Sequence, residues 1–314
     1  MPYRYKSIFV FIIGIFSVSS AFALNIDGPS GGEPFAFLAQ GISARPAGFG
    51  GAFTAVADDA SAILYNPAGL GQLQKAEISL NFTRPYLDIS GYSISSVIFA
   101  KPLTIGFGTL GTVAAGMVHM RIGDMQEVDT DPTGRTFSPS ETLIALAWGK
   151  GFGGNFEEEI PPSTYFGFNA KIYYSKLDNY SDSGYGMDIG FLRYFHRLFR
   201  VGFVAENLVS PNIALKEHGD NPLQNFRIGA TFGSFHGLLA SAELQVNLNG
   251  KLCGRVGGEF TIKDMFSLRG GYRSSTNEPF AGIGMDLKML EIDYSVSFPE
   301  QFGLSHRVGI TYFM

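Results

Sequence analysis

Leu304-Ser305-His306-Arg307-Val308-Gly309-Ile310-Thr311-Tyr312-Phe313-Met314 sets Val308, Ile310, Tyr312 and Met314 against Arg307, Gly309 and Thr311. Successive side chains of a strand point to opposite faces, so this stretch has one apolar face and one polar or tiny one. The same alternation recurs upstream. Leu290, Ile292, Tyr294, Val296 and Phe298 oppose Glu291, Asp293, Ser295 and Ser297; Ala281, Ile283, Met285 and Leu287 oppose Gly282, Gly284, Asp286 and Lys288. Phe226, Ile228, Ala230 and Phe232 oppose Arg227, Gly229 and Thr231, and Phe166, Phe168, Ala170 and Ile172 oppose Gly167, Asn169 and Lys171. A soluble sandwich has the same period, so phase alone leaves both architectures open.

Composition decides between them. The 314 residues are 45% hydrophobic and only 16% charged, with 40 glycines, 29 phenylalanines and 14 tyrosines, and a mean hydropathy of +0.11. Beyond the first residues no apolar run reaches the roughly 20 residues of a spanning helix. A transmembrane barrel reconciles the two, because every second residue faces lipid while each backbone polar group is paired between strands. Abundant Phe and Tyr suit interfacial girdles, and frequent glycine lets strands curve. The start of the chain fits export: Arg4 and Lys6 precede an apolar run, Ser7 to Val18, followed by Ala21-Phe22-Ala23 at cleavage-site spacing, as in a secretory signal peptide.

Fourteen segments can be laid down, near 76–84, 92–101, 103–121, 140–149, 164–176, 184–195, 200–209, 224–233, 237–247, 251–262, 265–274, 280–288, 290–297 and 304–314. An even count suits a single-chain bacterial barrel. The expected fold class is all-β: a transmembrane antiparallel β-barrel of about 14 strands with an N-terminal lumenal hatch that contains a short helix. The expected organisation is a signal peptide at 1–23, the hatch or plug at 24–75 and the barrel at 76–314. With the first strand starting on the periplasmic side, Lys101-Pro102, Lys263-Asp264 and Lys288-Met289 become tight periplasmic connections, and 122–139 and 210–222 longer external ones. The 150–163 connection, with Glu157-Glu158-Glu159 and Pro161-Pro162, is the long exception on the periplasmic side.

Lumen-phase charges are balanced. Lys171, Arg227, Arg255, Arg269, Arg273, Lys288 and Arg307 face Asp188, Glu206, Glu243, Glu259, Asp286, Glu291 and Asp293, which implies cross-strand ion pairs filling a plugged interior. A solute-selecting ladder carries an excess of one sign. Cys253, the single cysteine, excludes an internal disulfide and lies in lumen phase with Arg255. Trp148 falls at a strand end, where an amphipathic ring anchors at the headgroup level. The formal net charge of −5 lacks the basic patch that nucleic acid requires.

Residues 36–71 break the pattern: small, apolar and without strand alternation. Gly48, Gly50 and Gly51 permit close backbone approach; Asp58, Asp59 and Ser61 can cap a short helix toward Tyr65; Asn66-Pro67 ends it with a turn. Asp58 and Asp59 supply only part of the 6–8 oxygen ligands calcium takes, so capping is preferred to cation binding.

Through Ala44-Arg45, Gly48 to Phe53, Ala55 to Asp59 and Asn66-Pro67-Ala68-Gly69-Leu70, the chain resembles the PorV/PorQ family of outer-membrane proteins, related to FadL-type (OmpP1/FadL/TodX) transporters of hydrophobic compounds. Leu268 to Arg273 and His306 to Ile310 extend the likeness over nearly the whole mature chain. The resemblance implies a fourteen-stranded barrel with a hatch in its lumen. It places the candidate ligand and hatch residues at Arg45, Gly48, Phe53, Asp58, Asp59, Asn66, Pro67 and Ala68, with Asn66-Pro67-Ala68 bracing the plug against the wall. From chemistry alone the same three residues read equally well as a plain helix-ending turn. One departure is the C-terminus, where such barrels end on Phe or Trp and here Phe313 is penultimate.

The leading functional expectation is a hatch-plugged conduit for hydrophobic small molecules in the outer membrane, without cofactor or metal. Its partners are outer-membrane lipid, the assembly machinery acting through the C-terminal strand, and a hydrophobic ligand. The alternative is a secretion-linked adaptor holding a secreted protein through its loops. Catalysis is disfavoured, because His119, His196, His218, His236 and His306 are scattered and Gly106-Phe107-Gly108 is followed by no helix, so neither a base beside a nucleophile nor a phosphate loop forms.

Overall fold

The computed structural model describes residues 34–105, 108–123, 125–126, 136–154, 162–214, 219–222, 224–234, 237–300 and 303–314. The signal-peptide reading of 1–23 lies outside these residues, as do Gly106, Phe107, Glu157 to Glu159, Pro161, His218 and His236. No helix among the described residues is long and apolar enough to cross a membrane.

Alternation has made strands where it was read. Seven form the first half of the wall: β1 (Glu77–Arg84), β2 (Ser93–Ile105), β3 (Gly108–Arg121), β4 (Ser140–Phe152), β5 (Thr164–Leu177), β6 (Tyr180–His196) and β7 (Phe199–Val209). Seven more complete it: β8 (Asn225–Gly233), β9 (Leu238–Asn247), β10 (Leu252–Ile262), β11 (Phe266–Arg273), β12 (Glu278–Asp286), β13 (Leu290–Ser297) and β14 (Ser305–Phe313). Each pairs with its neighbours in sequence, and the sheet closes into a barrel. At the seam β1 runs antiparallel to β14, from Glu77 opposite Phe313 to Arg84 opposite His306. Closure leaves no unpaired edge, the condition for placing strands in hydrocarbon.

Register assigns each connection to an end. Glu77 and Phe313 mark the terminal end, where the 153–163 connection joins β4 to β5; the connections 122–139 and 210–224 lie at the opposite, loop end. Small two-residue ladders, Met125–Gln126 with Thr136–Phe137 and Ile213–Ala214 with Gly219–Asp220, ornament those loops.

Three expectations need correction. Lys101-Pro102 is no turn, since β2 continues to Ile105 and Pro102 pairs with Thr112. Because β1 begins opposite Ala100, β2 is paired on one side only beyond that point, where a proline fits a ladder. Lys288 does not face the lumen, whereas Asp286, the last residue of β12, keeps lumen parity opposite Glu291 and is exposed at the strand end. Lys288 is exposed in the turn after β12, where its amide donates to Asp286 Oδ1 at 2.6 Å and it takes a φ of 70°. Finally, the lumenal wall is not ionic throughout. On β2, β3 and β4 it carries Ile94, Ile98, Val118, Leu143 and Ala145, all at most 1% exposed, whereas the paired charges lie on β5 to β14.

The N-terminal segment occupies the lumen. It contains a 3-10 turn (Ala36–Gln40), α1 (Ala44–Gly48), α2 (Ala62–Tyr65) and a second 3-10 turn (Pro67–Gln72). Phe49, Phe53, Val56 and Ile63 are completely buried and pack with the apolar wall residues Ile98, Ala114 and Ala145. So α1 is a second helix where the sequence suggested one, short because Gly50 and Gly51, at φ of 66° and 83°, turn the chain at once. Asn66 is extended, with a φ of −158°, and stops α2 ahead of Pro67.

Candidate functional site

Wall glycines make the seat of the lumenal segment. Gly149 of β4, Gly167 of β5 and Gly190 of β6 are successive cross-strand partners, and the Asn66-Pro67-Ala68 turn lies flat across them. A Cβ at Gly167 would sit 2.3 Å from the Pro67 carbonyl carbon, one at Gly149 2.4 Å from its oxygen, and one at Gly190 2.1 Å from Asn66 Oδ1. Only a bare backbone leaves that room. A second contact lies across the barrel, where Gly257 and Gly271, also cross-strand partners, approach the Phe49-Gly50 backbone, and Gly48 of α1 meets Gly282 and Arg269.

Hydrogen bonds fix the register of segment on wall. Asn66 Nδ2 donates to the carbonyls of Thr54 (2.7 Å) and Phe191 (3.2 Å), while its Oδ1 accepts from the Ala68 amide at 3.1 Å. Asn66 thus spans the lumenal segment, its own turn and β6, and it is fully buried. Replacing Asn66 by Ala should cost about 2–3 kcal/mol, since it strips three partners and leaves buried carbonyls unsatisfied. Amide exchange at Ala68 and its neighbours is the measurement, and protection equal to that of the wild type would contradict this role. Elsewhere the wall reaches in: Asn81 Oδ1 accepts from the Ala44 amide (3.1 Å), Glu77 from the Ala60 amide (2.7 Å), and Glu243 from the Thr54 amide (3.0 Å).

Arg45 is the electrostatic hub. Its Nη1 lies 2.7 Å from Asp58 Oδ1 and 2.6 Å from Asp59 Oδ2, and its Nε 3.7 Å from Glu259 Oε2 on β10. Glu259 is shared with Arg269 of β11, at 2.5 Å, which also contacts Glu291 at 3.3 Å and Asp293. Burial alone would push the Arg45 guanidinium down, but the charges of Asp58, Glu259 and Asp59 together outweigh it and hold it well above its ordinary value. The guanidinium also stands 5.4 Å over the Phe53 ring, which packs edge-on against Phe49 and Tyr65.

The expected capping is not made as read: Ser61 stands at the N-cap of α2 without a side-chain cap hydrogen bond. Asp59 Oδ1 accepts from the Ser61 amide at 2.8 Å and from its hydroxyl, so it braces the turn into α2. Asp58 pairs with Arg45, as Asp59 also does through Oδ2. Among the described residues no group of three His, Cys, Asp or Glu side chains is arranged to hold a metal ion.

Sequence reading missed several contributors. Tyr92, Ile94, Val118, Met120, Leu143 and Tyr173 form an apolar bay in the loop-end half of the lumen, filled by Phe35 and Phe37 of the N-terminal segment. Phe35, in the left-handed region at φ 60°, is held by Glu141, whose carboxylate accepts its amide at 3.1 and 3.2 Å. Beside the bay, Arg307 of β14 is 1% exposed and donates to the carbonyls of Gly41 (2.9 Å) and Gln40 (2.8 Å) and to Ser297 Oγ (3.1 Å). The bay had a signal in β4, where Leu143 to Trp148 is apolar on both parities, as in a strand buried on both faces.

Trp148 faces outward at the terminal end, its Nε1 donating to the Leu110 carbonyl at 2.9 Å and its ring 5.7 Å from Phe168. His119 pairs with Thr142, His306 with Tyr294 on the outer wall, and His196 lies exposed by the turn after β6.

No family profile matches the chain, and no curated protein matches it. Solved structures do match in fold. The P. putida toluene transporter TodX superposes with a TM-score of 0.60 at 10% identity, covering 88% of this chain and 99% of its own. The CymD monoaromatic hydrocarbon channel gives 0.60 at 11% identity over 88% and 98% of the two chains. A Pseudomonas aeruginosa FadL homologue gives 0.54 at 12% identity over 86% and 98%. This chain has the FadL-type barrel fold.

Proposed function

We propose that the protein is a bacterial outer-membrane conduit for hydrophobic small molecules, closed by residues 24–75 acting as a hatch. The apolar bay carries this reading, because a pore for polar solutes has no use for Ile94, Val118 and Leu143 on its inner wall at 1% exposure and Tyr173 at 0%. A hydrophobic ligand entering at the loop end takes over the contacts that Phe35 and Phe37 now make. The fold likeness to TodX, CymD and the FadL homologue supports the class of cargo, and the Arg45, Gly48, Phe53, Asp58, Asp59, Asn66, Pro67 and Ala68 set supplies the hatch.

Membrane insertion rests on the outer face. Leu80, Val97, Met117, Ile144 and Ile172 form a cross-strand row over β1 to β5, each 41–50% exposed. Such a continuous apolar band is far larger than soluble proteins present to water. Export by the N-terminal signal and assembly through β14 complete the localisation. Most charged side chains of the lumen are engaged in ion pairs, the role proposed is non-enzymatic, and the PorV/PorQ motifs are read as marking a hatch.

Replacing Val118 by Asn puts an unpaired amide in the bay at a cost of about 1–3 kcal/mol, so uptake of a labelled hydrophobic compound should fall roughly ten-fold or more while boiling still shifts gel mobility. Undiminished uptake in this variant and in a deletion strain would remove the conduit. Copurification of a secreted protein from native membranes, with no uptake defect, would instead establish the adaptor role.

A further inference from the structure

The outer wall is charged asymmetrically at its loop end. Arg84, Ser93, Arg121, Ser140, Lys176 and Ser181 lie side by side on six successive strands, β1 to β6. Ser93 pairs with Arg121, Arg121 with Ser140, Ser140 with Lys176 and Lys176 with Ser181. Arg84 adjoins Ser93, since Thr83 pairs with Ile94, and on its other side it pairs with His306 of β14. All are at outward parity, in phase with the exposed Phe82, Met117 and Ile172. Cation and hydroxyl therefore alternate, and no carboxylate interrupts the row. Strands stand 4.7–4.9 Å apart, so consecutive cations are about 10 Å apart with a serine between them.

The level below, toward the membrane centre, holds His119, Thr142 and Tyr174 as cross-strand partners, and the next is the apolar row of Leu80 to Ile172. Basic, amphipathic and hydrocarbon layers thus follow one another in the order of a lipid read from headgroup to chain. The opposite sector lacks this feature: near the loop end of β8 to β12 the outward-facing strand residues are Phe226, Val246, Leu252, Tyr272 and Pro279. General snorkelling of long cations to the interface would not confine them to one side.

We propose that the loop-end outer face of β1 to β6 is a docking site for a phosphate-bearing lipid of the surrounding leaflet. Arg84, Arg121 and Lys176 take the phosphate oxygens, the arginines through their paired N–H groups, Ser93 and Ser140 donate between them, and the acyl chains lie along the apolar row. The inference rests on the outer-membrane reading above.

The test uses the full-length mature protein in neutral detergent micelles, with added lipid A in its bisphosphorylated form or with the same acyl chains and no phosphate. Heat-modifiable mobility reads unfolding temperature, and native mass spectrometry reads retained lipid. The phosphorylated form should stabilise the wild type and remain bound, the dephosphorylated form much less. Binding should weaken about five-fold for each cation removed in Arg84→Gln, Arg121→Gln and Lys176→Gln, whereas Lys101→Gln with Lys150→Gln, at the terminal end, should leave it unchanged. Equal effects of the two lipids, or full retention by the triple variant, would overturn the docking site alone. A protein that shows no boiling shift in any micelle would instead overturn the membrane reading beneath it.

Discussion

Gly167→Val should close its barrel and fail to seat its lumenal N-terminal segment. Gly167 is the middle of the Gly149, Gly167, Gly190 row, and any Cβ there meets Pro67 backbone at 2.3 Å. The obstruction is main chain that Asn66 ties to Thr54 and Phe191, so no rotamer change relieves it. Overpacking of this kind costs 1–3 kcal/mol where neighbours can shift, and here about 3 kcal/mol or more is expected for the seated state. The strand itself has no objection, because valine favours β structure and its ladder hydrogen bonds are untouched. The expected phenotype is therefore split: a retained boiling shift, together with rapid protease cleavage and amide exchange within residues 34–75. Gly237→Ala is the matched control, since a Cβ there meets nothing within 4 Å and should change stability by no more than about 0.5 kcal/mol. Wild-type protease resistance in Gly167→Val would show that the turn does not rest on the glycine row.

That seat explains what was legible in the sequence and what was not. Strand identity is a local property: Leu290 to Phe298 alternates cleanly, so β13 and its neighbours could be read directly. The glycine row is a property of register, and nothing in the neighbourhood of Gly149 says that Gly167 and Gly190 will stand beside it. Pro102 misled for a related reason, because its tolerance depends on where β1 stops opposite β2. Lys288 has lumen parity in sequence, yet the turn there, with its φ of 70°, ends the strand at Asp286 before parity can apply. The apolar bay has only a weak sequence signal, since Leu143 to Trp148 loses alternation by being apolar on both faces. In the hatch, short polar signals such as Asn66-Pro67 were readable. The meeting of Arg45 with Asp58, Asp59 and Glu259 joins α1, the turn before α2 and β10, and only the tertiary fold brings these together.

Arg45→Ala should loosen the hatch by about 3–5 kcal/mol, the range for removing one partner of a buried ion pair and leaving the other charge uncompensated. The loss concentrates on Asp58 and Asp59, because Glu259 keeps Arg269 at 2.5 Å. Arg45→Lys should recover only part of it, since a point charge cannot span Asp58, Asp59 and Glu259 as the planar guanidinium does. Combining Arg45→Ala with Asp58→Asn and Asp59→Asn should restore most of the stability, and that non-additivity identifies the interaction in place of simple loss of packing over Phe53. Exchange protection across residues 44–65 is the readout, and additive costs in the combined variant would refute the coupling. The pH dependence has a definite sign. The Arg45 guanidinium is held above its ordinary value, so its stabilisation is fully present below the unfolded-state value and is lost only as pH rises through the still higher folded one. Working pH never enters that window, so this cation cannot act as a pH-operated release. On the proposed conduit reading, opening comes from ligand contacts that compete with those the lumenal segment makes, above all at the bay that Phe35 and Phe37 fill.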